Sequence, residues 1–417
     1  MKIGELARLN NVTIDTIRHY ISIGLLIPHK NGSQYDFSLR EAENLQYIQK
    51  LKSMRFHLKE IEDIMNLRRT SNWVEPETMK QYIHMLQEKS GELAAEQVAI
   101  KGAEELVAKE IREFEETGKP NRERQGVPIR VLPYLVCPNC KKQLEVRNAT
   151  FAYKYLYEGK LTCSCGYEAS IEKGILITGN RYTAIYDAPD VKRELYQTLT
   201  SDFLKCYQLA SDQIQKDLGE QELTGKVILE NFVNGYFYLY THLHELPKDA
   251  LYIIIDKYPE TISMYKKLIS ALNLDRDILY IADASMNYPL AEHCVDVNVA
   301  FFSCIESDFY FKNNYFESME PYMKPDALIT GVDLDMDDQA KSRKLFMQKY
   351  PEGSPDKLKI PLEREVLKKL GYTVTDRVIG SVWETKNRFS FACHLPKEEM
   401  RIVYFKAERD AGTEYSS

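Results

Sequence analysis

Residues Val227–Phe237 read "VILENFVNGYF": three apolar residues, an acid, then a turn. A buried strand ending on an acid and opening into a tight turn has the outline of a loop that cradles a nucleotide. Such loops are built on glycine, which lets the backbone approach a ligand closely and take a positive φ. Here only Gly235 is glycine. The stretch decides for an α/β body and leaves open what its site is for.

Working outward, strand and helix patterns alternate from Gly225 onward. "KVILENF" reads as a strand, "FYLYTHLHEL" as a helix, and "ALYIIIDKYP" as a strand ending on Asp256. "TISMYKKLISAL" is helical, and "ILYIADAS" is a third strand ending on Asp283. "CVDVNVAFFSCIE", which contains Cys304, reads as a fourth strand. The helix "FESMEPYMKP" and the strand "DALITGVDL" follow it, and "YTVTDRVIGSVWE" and "RFSFACHL" close the sheet. Strands alternating with helices imply a parallel sheet that binds ligands at the strands' C-terminal ends.

Over residues 190–405 this order resembles a class I S-adenosylmethionine-dependent methyltransferase. The resemblance implies a cofactor site at Glu230, Gly235, Asp256 and Asp283. Glu230 is its first-strand acid, Asp256 the acid on the ribose hydroxyls, and Asp283 the reader of the adenine amine. Asp296 marks the fold. Phe232 and Asn234 stand where glycines are usual, and a ring at 232 falls where the cofactor's methionine part would lie. "AFFSCIESDFYF" lacks the signature of amino-methylating enzymes, so no catalytic residue is assigned. Cys206, Cys294, Cys304 and Cys393 read as ordinary buried thiols.

The chain has 417 residues, enough for several domains, with ordinary globular composition and a net charge of −7. Residues 1–70 carry eleven Lys/Arg against eight Asp/Glu, while the remainder carries 44 against 54. A mildly basic head on an acidic body suits a small nucleic-acid reader joined to something else. No apolar run approaches membrane-spanning length and no signal peptide is visible, so a cytoplasmic location without membrane contact is expected.

In the head, "IGELARL" puts Ile3, Leu6 and Leu9 on one face of a helix. Thr13 is the expected N-cap of a second helix, which buries Ile14, Ile17 and Ile21 and ends at Gly24. "PHKNGSQYDFS" reads as a hairpin, and "LREAENLQYIQKLKSMRFHLKEIEDIM" as two helices broken near "MRFHL". Together these resemble the winged helix-turn-helix of MerR-family transcriptional regulators. The resemblance places Thr16, Arg18, His19 and Tyr20 on the recognition helix and Tyr35 at the wing, near the DNA backbone. Where the family usually has a basic residue after the wing tyrosine, this chain has Asp36. A helix-turn-helix used only for protein contacts is the plainer alternative.

From Met79 an apolar residue recurs every seventh position: Leu86, Leu93, Ile100, Val107 and Phe114. Ile83, Ser90, Gln97, Glu104 and Ile111 fall between them, which makes a coiled-coil seam over residues 76–118 with a partly polar second position. MerR relatives dimerise through such a helix, so the resemblance implies a homodimer on a near-palindromic promoter operator, working with RNA polymerase. A single helix lying on another domain is the other reading.

After the polar linker "KPNRERQGVP", Cys137 and Cys140 ("CPNC") precede Cys163 and Cys165 ("CSC"). Four thiolates can close a tetrahedral structural zinc site. The surrounding pattern resembles the small zinc ribbon found before certain bacterial methyltransferase domains. A metal-free hairpin and a thiol redox switch remain alternatives.

The expectation is therefore a multidomain α and α/β chain in four parts. These are a winged helix-turn-helix (1–70), a long coiled-coil helix (76–118), a zinc ribbon (130–180) and a Rossmann-like methyltransferase fold (190–405). The function expected is that of a dimeric transcriptional regulator that binds double-stranded DNA. Its body would sense a small-molecule effector, S-adenosylmethionine or another small ligand. An active methyltransferase with a DNA-binding head is the alternative, and a structural module with a filled pocket is the third reading.

Overall fold

The computed structural model describes residues 1–32, 34–71, 73–117, 126–197, 199–354, 356, 358–383 and 393–409. The linker expected at 119–128 lies outside them up to residue 125. Two compact units are present, Met1–Glu116 and Thr117–Ser417.

The first unit runs α1 (Ile3–Leu9), α2 (Ile14–Ser22), β1 (His29–Asn31), β2 (Gln34–Asp36), α3 (Leu39–Ser53), α4 (Leu58–Ser71) and α5 (Pro76–Thr117). Thr13 caps α2 by accepting from the backbone N–H of Thr16. Gly24, at φ +76°, ends it. There the N–H of Leu25 reaches back to the carbonyl of Tyr20, and that of Gly24 to Ile21, a Schellman closure only a left-handed residue permits. Leu6, Ile17, Leu26, Phe37, Leu45, Ile48, Ile61 and Ile64 form the core. Of the three isoleucines expected to be buried on α2, only Ile17 is. Ile14 is exposed and Ile21 half-buried, because Tyr20 takes the inner face instead. The 42-residue α5 is held at its start by Trp73 stacked on Tyr82 and by Lys89 bridging Glu60 at 2.8 Å. Beyond that, Ile100, Val107, Ile111 and Phe114 are each more than half exposed.

The second unit opens with β3 (Val127–Pro128), β4 (Glu145–Ala152), β5 (Tyr155–Thr162), β6 (Glu168–Glu172), β7 (Ile175–Thr178), α6 (Glu194–Gln197) and α7 (Ser201–Gly219). It continues through β8 (Val227–Asn231), α8 (Tyr238–His242), β9 (Leu251–Asp256), α9 (Pro259–Ala271), β10 (Asp277–Ala282), β11 (Val295–Phe301), α10 (Ser303–Tyr310) and α11 (Tyr315–Met319). It ends with β12 (Met323–Met336), α12 (Lys341–Lys349), α13 (Ile360–Lys369), β13 (Thr373–Val382) and β14 (Met400–Glu408).

One sheet joins these strands in the order β13-β14-β12-β11-β8-β9-β10-β7-β6-β5-β3, with β4 paired to β5. β8 to β12 are mutually parallel, and β14 runs antiparallel between β12 and β13. Successive residues of β9 and β10 alternate between two apolar cores, one on each face of the sheet, so the central strands are apolar throughout. α7, α8 and α9 cover one face, and α11 and α13 contribute to the other. The connection leaving β8 runs through α8 on one face, while that leaving β11 runs through α10, largely in the same core, to α11 on the other. The gap between these neighbouring strands is a topological switch point.

Three sequence expectations change here. The fourth strand stops at Phe301, and Cys304 sits in the first turn of α10. "MKP" belongs to β12 rather than to the preceding helix. The closing strand is Met400–Glu408; most of "RFSFACHL" lies outside the described residues, and Cys393–Leu395 is not strand. The ribbon strands are also part of the main sheet, since β7 pairs parallel with β10.

Candidate functional site

On the head, Arg18 and His19 are exposed on α2 and Thr16 is half-buried beside its cap. Arg18 pairs with Asp15 at 3.1 Å, both exposed. Tyr35 is half-buried on the wing. Tyr20 is buried, with the Lys52 ammonium 5.9 Å from its ring centre. It anchors α2 rather than facing outward with Thr16, Arg18 and His19.

In the ribbon, the Sγ atoms of Cys137, Cys140, Cys163 and Cys165 all lie within 4.8 Å of one another. The pairs Cys137–Cys165 and Cys140–Cys163 are each 3.4 Å apart, far longer than a disulfide of about 2.05 Å. Each half is a tight turn. Lys141 at φ +58° returns its N–H to Cys137, and Gly166 at φ +92° returns its own to Cys163. The backbone N–H of Cys165 pulls the Cys163 thiol down to about 7. Converging thiols without a disulfide form a donor set that could hold a metal ion.

At the switch point, a cavity of about 250 Å³ is lined by Asp187, Asn234, Gly235, Glu306, Tyr310 and Tyr350, among others. Of the four residues assigned to a cofactor, only Gly235 lines it. Glu230 is fully buried, and its two carboxylate oxygens accept the backbone N–H groups of Tyr238 and Leu239, each at 2.8 Å. It caps α8, and burial pushes its carboxyl up to about 8. Asp256 is buried as well, accepting from the N–H of Asn234 at 2.8 Å and of Tyr258 at 2.9 Å; burial raises it to about 7. Asp283 accepts from Thr178, Asn180 and both the N–H and the hydroxyl of Ser285. Each acid that the resemblance gives to a cofactor is turned onto the chain's own donors.

Phe232 occupies the turn at φ +58°, a left-handed conformation costing a non-glycine residue about 1–2 kcal/mol. Its ring is buried against Phe311 and Tyr315, with centroids 5.6 and 6.3 Å away, and lines a small cavity with Gly235 and Glu306.

Three groups escaped the sequence reading. Lys257, the residue after Asp256, is buried with its ammonium 2.8 Å from Asp187 and 3.0 Å from Glu306, and 3.3 Å from the ring centre of Tyr310. Burial pulls this ammonium down, but Glu306 and Asp187 outweigh it and leave it raised. Burial likewise raises Glu306. A charged residue abutting "YIIID" was the available signal; the pairing with residues 70 and 49 positions away was not legible.

Residues 1–67 match the family model described as MerR HTH family regulatory protein. The head is a MerR-type helix-turn-helix domain. The chain is also similar to the transcriptional regulator BrlR of Pseudomonas aeruginosa. That similarity is 28% identity over 83 residues, 20% of this chain and 31% of that protein. The chain thus spans about a third of the curated relative it matches. Among solved structures, phosphoethanolamine N-methyltransferase 2 of Haemonchus contortus is 12% identical with a TM-score of 0.37, over 48% of this chain and 52% of that one. An S-adenosylmethionine-dependent methyltransferase from Aquifex aeolicus is 17% identical with a TM-score of 0.31, over 50% and 99%. A MerR-family regulator from Listeria monocytogenes is 20% identical with a TM-score of 0.23, over 28% and 86%. The strand order and polarity of the sheet in the second unit are those of a Rossmann-like α/β fold. Among the described residues, no helix is long and apolar enough to cross a membrane.

Proposed function

We propose that the chain is a dimeric, cytoplasmic transcriptional regulator whose methyltransferase-like body senses a small ligand instead of transferring methyl groups. The head reads double-stranded DNA through Thr16, Arg18, His19 and Tyr35, and α5 pairs two chains so that two heads meet a near-palindromic promoter operator beside RNA polymerase. The four ribbon cysteines hold a structural zinc that stiffens the edge of the sheet. The observation that carries the sensing reading is the state of Asp256: it is buried and engaged with two backbone donors where a working cofactor site needs it open. S-adenosylmethionine or a relative is the first ligand to try, because the fold retains the switch-point cavity beside Gly235.

Calorimetric titration of the zinc-loaded dimer with S-adenosylmethionine and S-adenosylhomocysteine tests this, paired with operator binding at fixed salt in the presence of each. Operator affinity that shifts with ligand, without methyl transfer to DNA, protein or small-molecule acceptors, is the expected result. Turnover on any acceptor would overturn it.

A further inference from the structure

Asn234 stands where a glycine is usual, and its side chain ties down a segment of chain that crosses the turn after β8. Its Oδ1 accepts from the backbone N–H of Asp190 at 2.9 Å and from the Thr261 hydroxyl at 2.8 Å. Its Nδ2 donates to the carbonyl of Ala188 at 3.1 Å. From the same segment, Arg193 donates to the carbonyls of Asn234 and Gly235 at 2.8 and 2.9 Å, with its guanidinium 4.2 Å from the ring centre of Tyr196. Asp187 closes the other end on the buried ammonium of Lys257. Residues 187–193 are therefore fastened at both ends and at the middle, and lie against the turn beside the Asp256 carboxylate.

We propose that Asp187–Arg193 is an autoinhibitory strap that keeps the nucleoside half of the switch-point site shut, with Asn234 as its latch. The departure from glycine and the strap are one device: a glycine has no side chain with which to grip Asp190 and Ala188. Asp187, Ala188 and Asp190 of the strap, with Asn234, form part of the wall of the cavity that Gly235, Glu306 and Tyr310 also line, and the Asp256 carboxylate stays engaged with the N–H groups of Asn234 and Tyr258. A nucleoside-bearing cofactor enters only when the latch releases. The proposal depends on the sensing reading only for what release would signal to the head.

The test uses the full-length, zinc-loaded protein and the variants Asn234→Gly and Asn234→Ala, with S-adenosylhomocysteine as probe. Hydrogen exchange over residues 187–195 is expected to quicken at least tenfold in both variants. S-adenosylhomocysteine is expected to bind them at least tenfold more tightly than the parent. Unchanged exchange in a folded variant, or faster exchange without a gain in affinity, would sink the proposal. So would a parent protein that binds the probe while the strap stays equally protected. Should either Asn234 variant fail to fold by circular dichroism, Arg193→Ala, which removes the two bonds to carbonyls 234 and 235, carries the same expectations. Failure of the sensing reading would appear separately, as operator affinity indifferent to the probe while the exchange result stands.

Discussion

The backbone N–H of Asn234 donates to Oδ2 of Asp256 across 2.8 Å, so the acid ending β9 caps the turn that follows β8. Replacing it therefore acts on folding. Asp256→Ala strands two buried N–H groups, those of Asn234 and Tyr258, at roughly 1–3 kcal/mol each. Denaturant unfolding should show that loss with no ligand present. A residue serving only a cofactor would leave stability unchanged.

Glu230 carries a pH signature. Its folded value of about 8 lies above the roughly 4.3 of an unfolded glutamate. Folding then favours the protonated form. This contribution is complete below about pH 4.3 and is lost as pH rises through about 8. Glu230→Gln destabilises at every pH, because an amide N–H meets the backbone donors of α8. The gap between parent and variant should be wider at pH 5 than at pH 8.5. A gap that widens with rising pH would contradict the assignment.

Arg18 is exposed and paired with Asp15. Arg18→Ala should weaken operator binding across sequences alike and lower the salt-dependence slope by about one per head. Tyr20→Ala should behave differently, lowering the melting temperature of the head because its ring is core. Fluorescence anisotropy at several salt concentrations, read beside thermal melts, separates the two.

The exposed stripe of α5 gives a prediction about assembly. Ile100→Asp with Val107→Asp places charge on a seam that a second copy would cover. Sedimentation should report a dimer for the parent and monomer for the double variant, with folded heads in both.

Zinc content should be one ion per chain, falling sharply in Cys140→Ser. A strong chelator should lower the melting temperature of the body. A parent protein with no bound zinc and intact stability would show that the ribbon folds without a metal.

The legible parts of the chain were those set by local chemistry. Thr13, Gly24 and the Asn31–Gly32 turn announce the head because caps and hairpins are decided by neighbouring residues. The seven-residue spacing from Met79 to Phe114 announces α5 for the same reason. The strands of the body could be read from their uninterrupted apolar runs. The site was harder. Glu230, Asp256 and Asp283 lie at or just beyond the C-terminal ends of β8, β9 and β10, yet their partners are backbone amides and polar side chains that no motif specifies. Lys257, Asp187 and Glu306 meet only through the fold, and the role of Asn234 depends on a segment more than forty residues earlier. Cys304 was misplaced because a strand and a following helix that are both apolar give no periodic break at Phe302. That residue turns the chain with φ +58°.

The parallel pairing of β7 with β10 has a consequence for how the body behaves alone. A sheet trimmed at residue 180 would present β10 as a bare apolar edge with unpaired amides, a template for neighbouring chains. The ribbon shields that edge and bears the thiol cluster at the same time. A body excised after residue 180 is therefore expected to be more prone to aggregate than the whole chain.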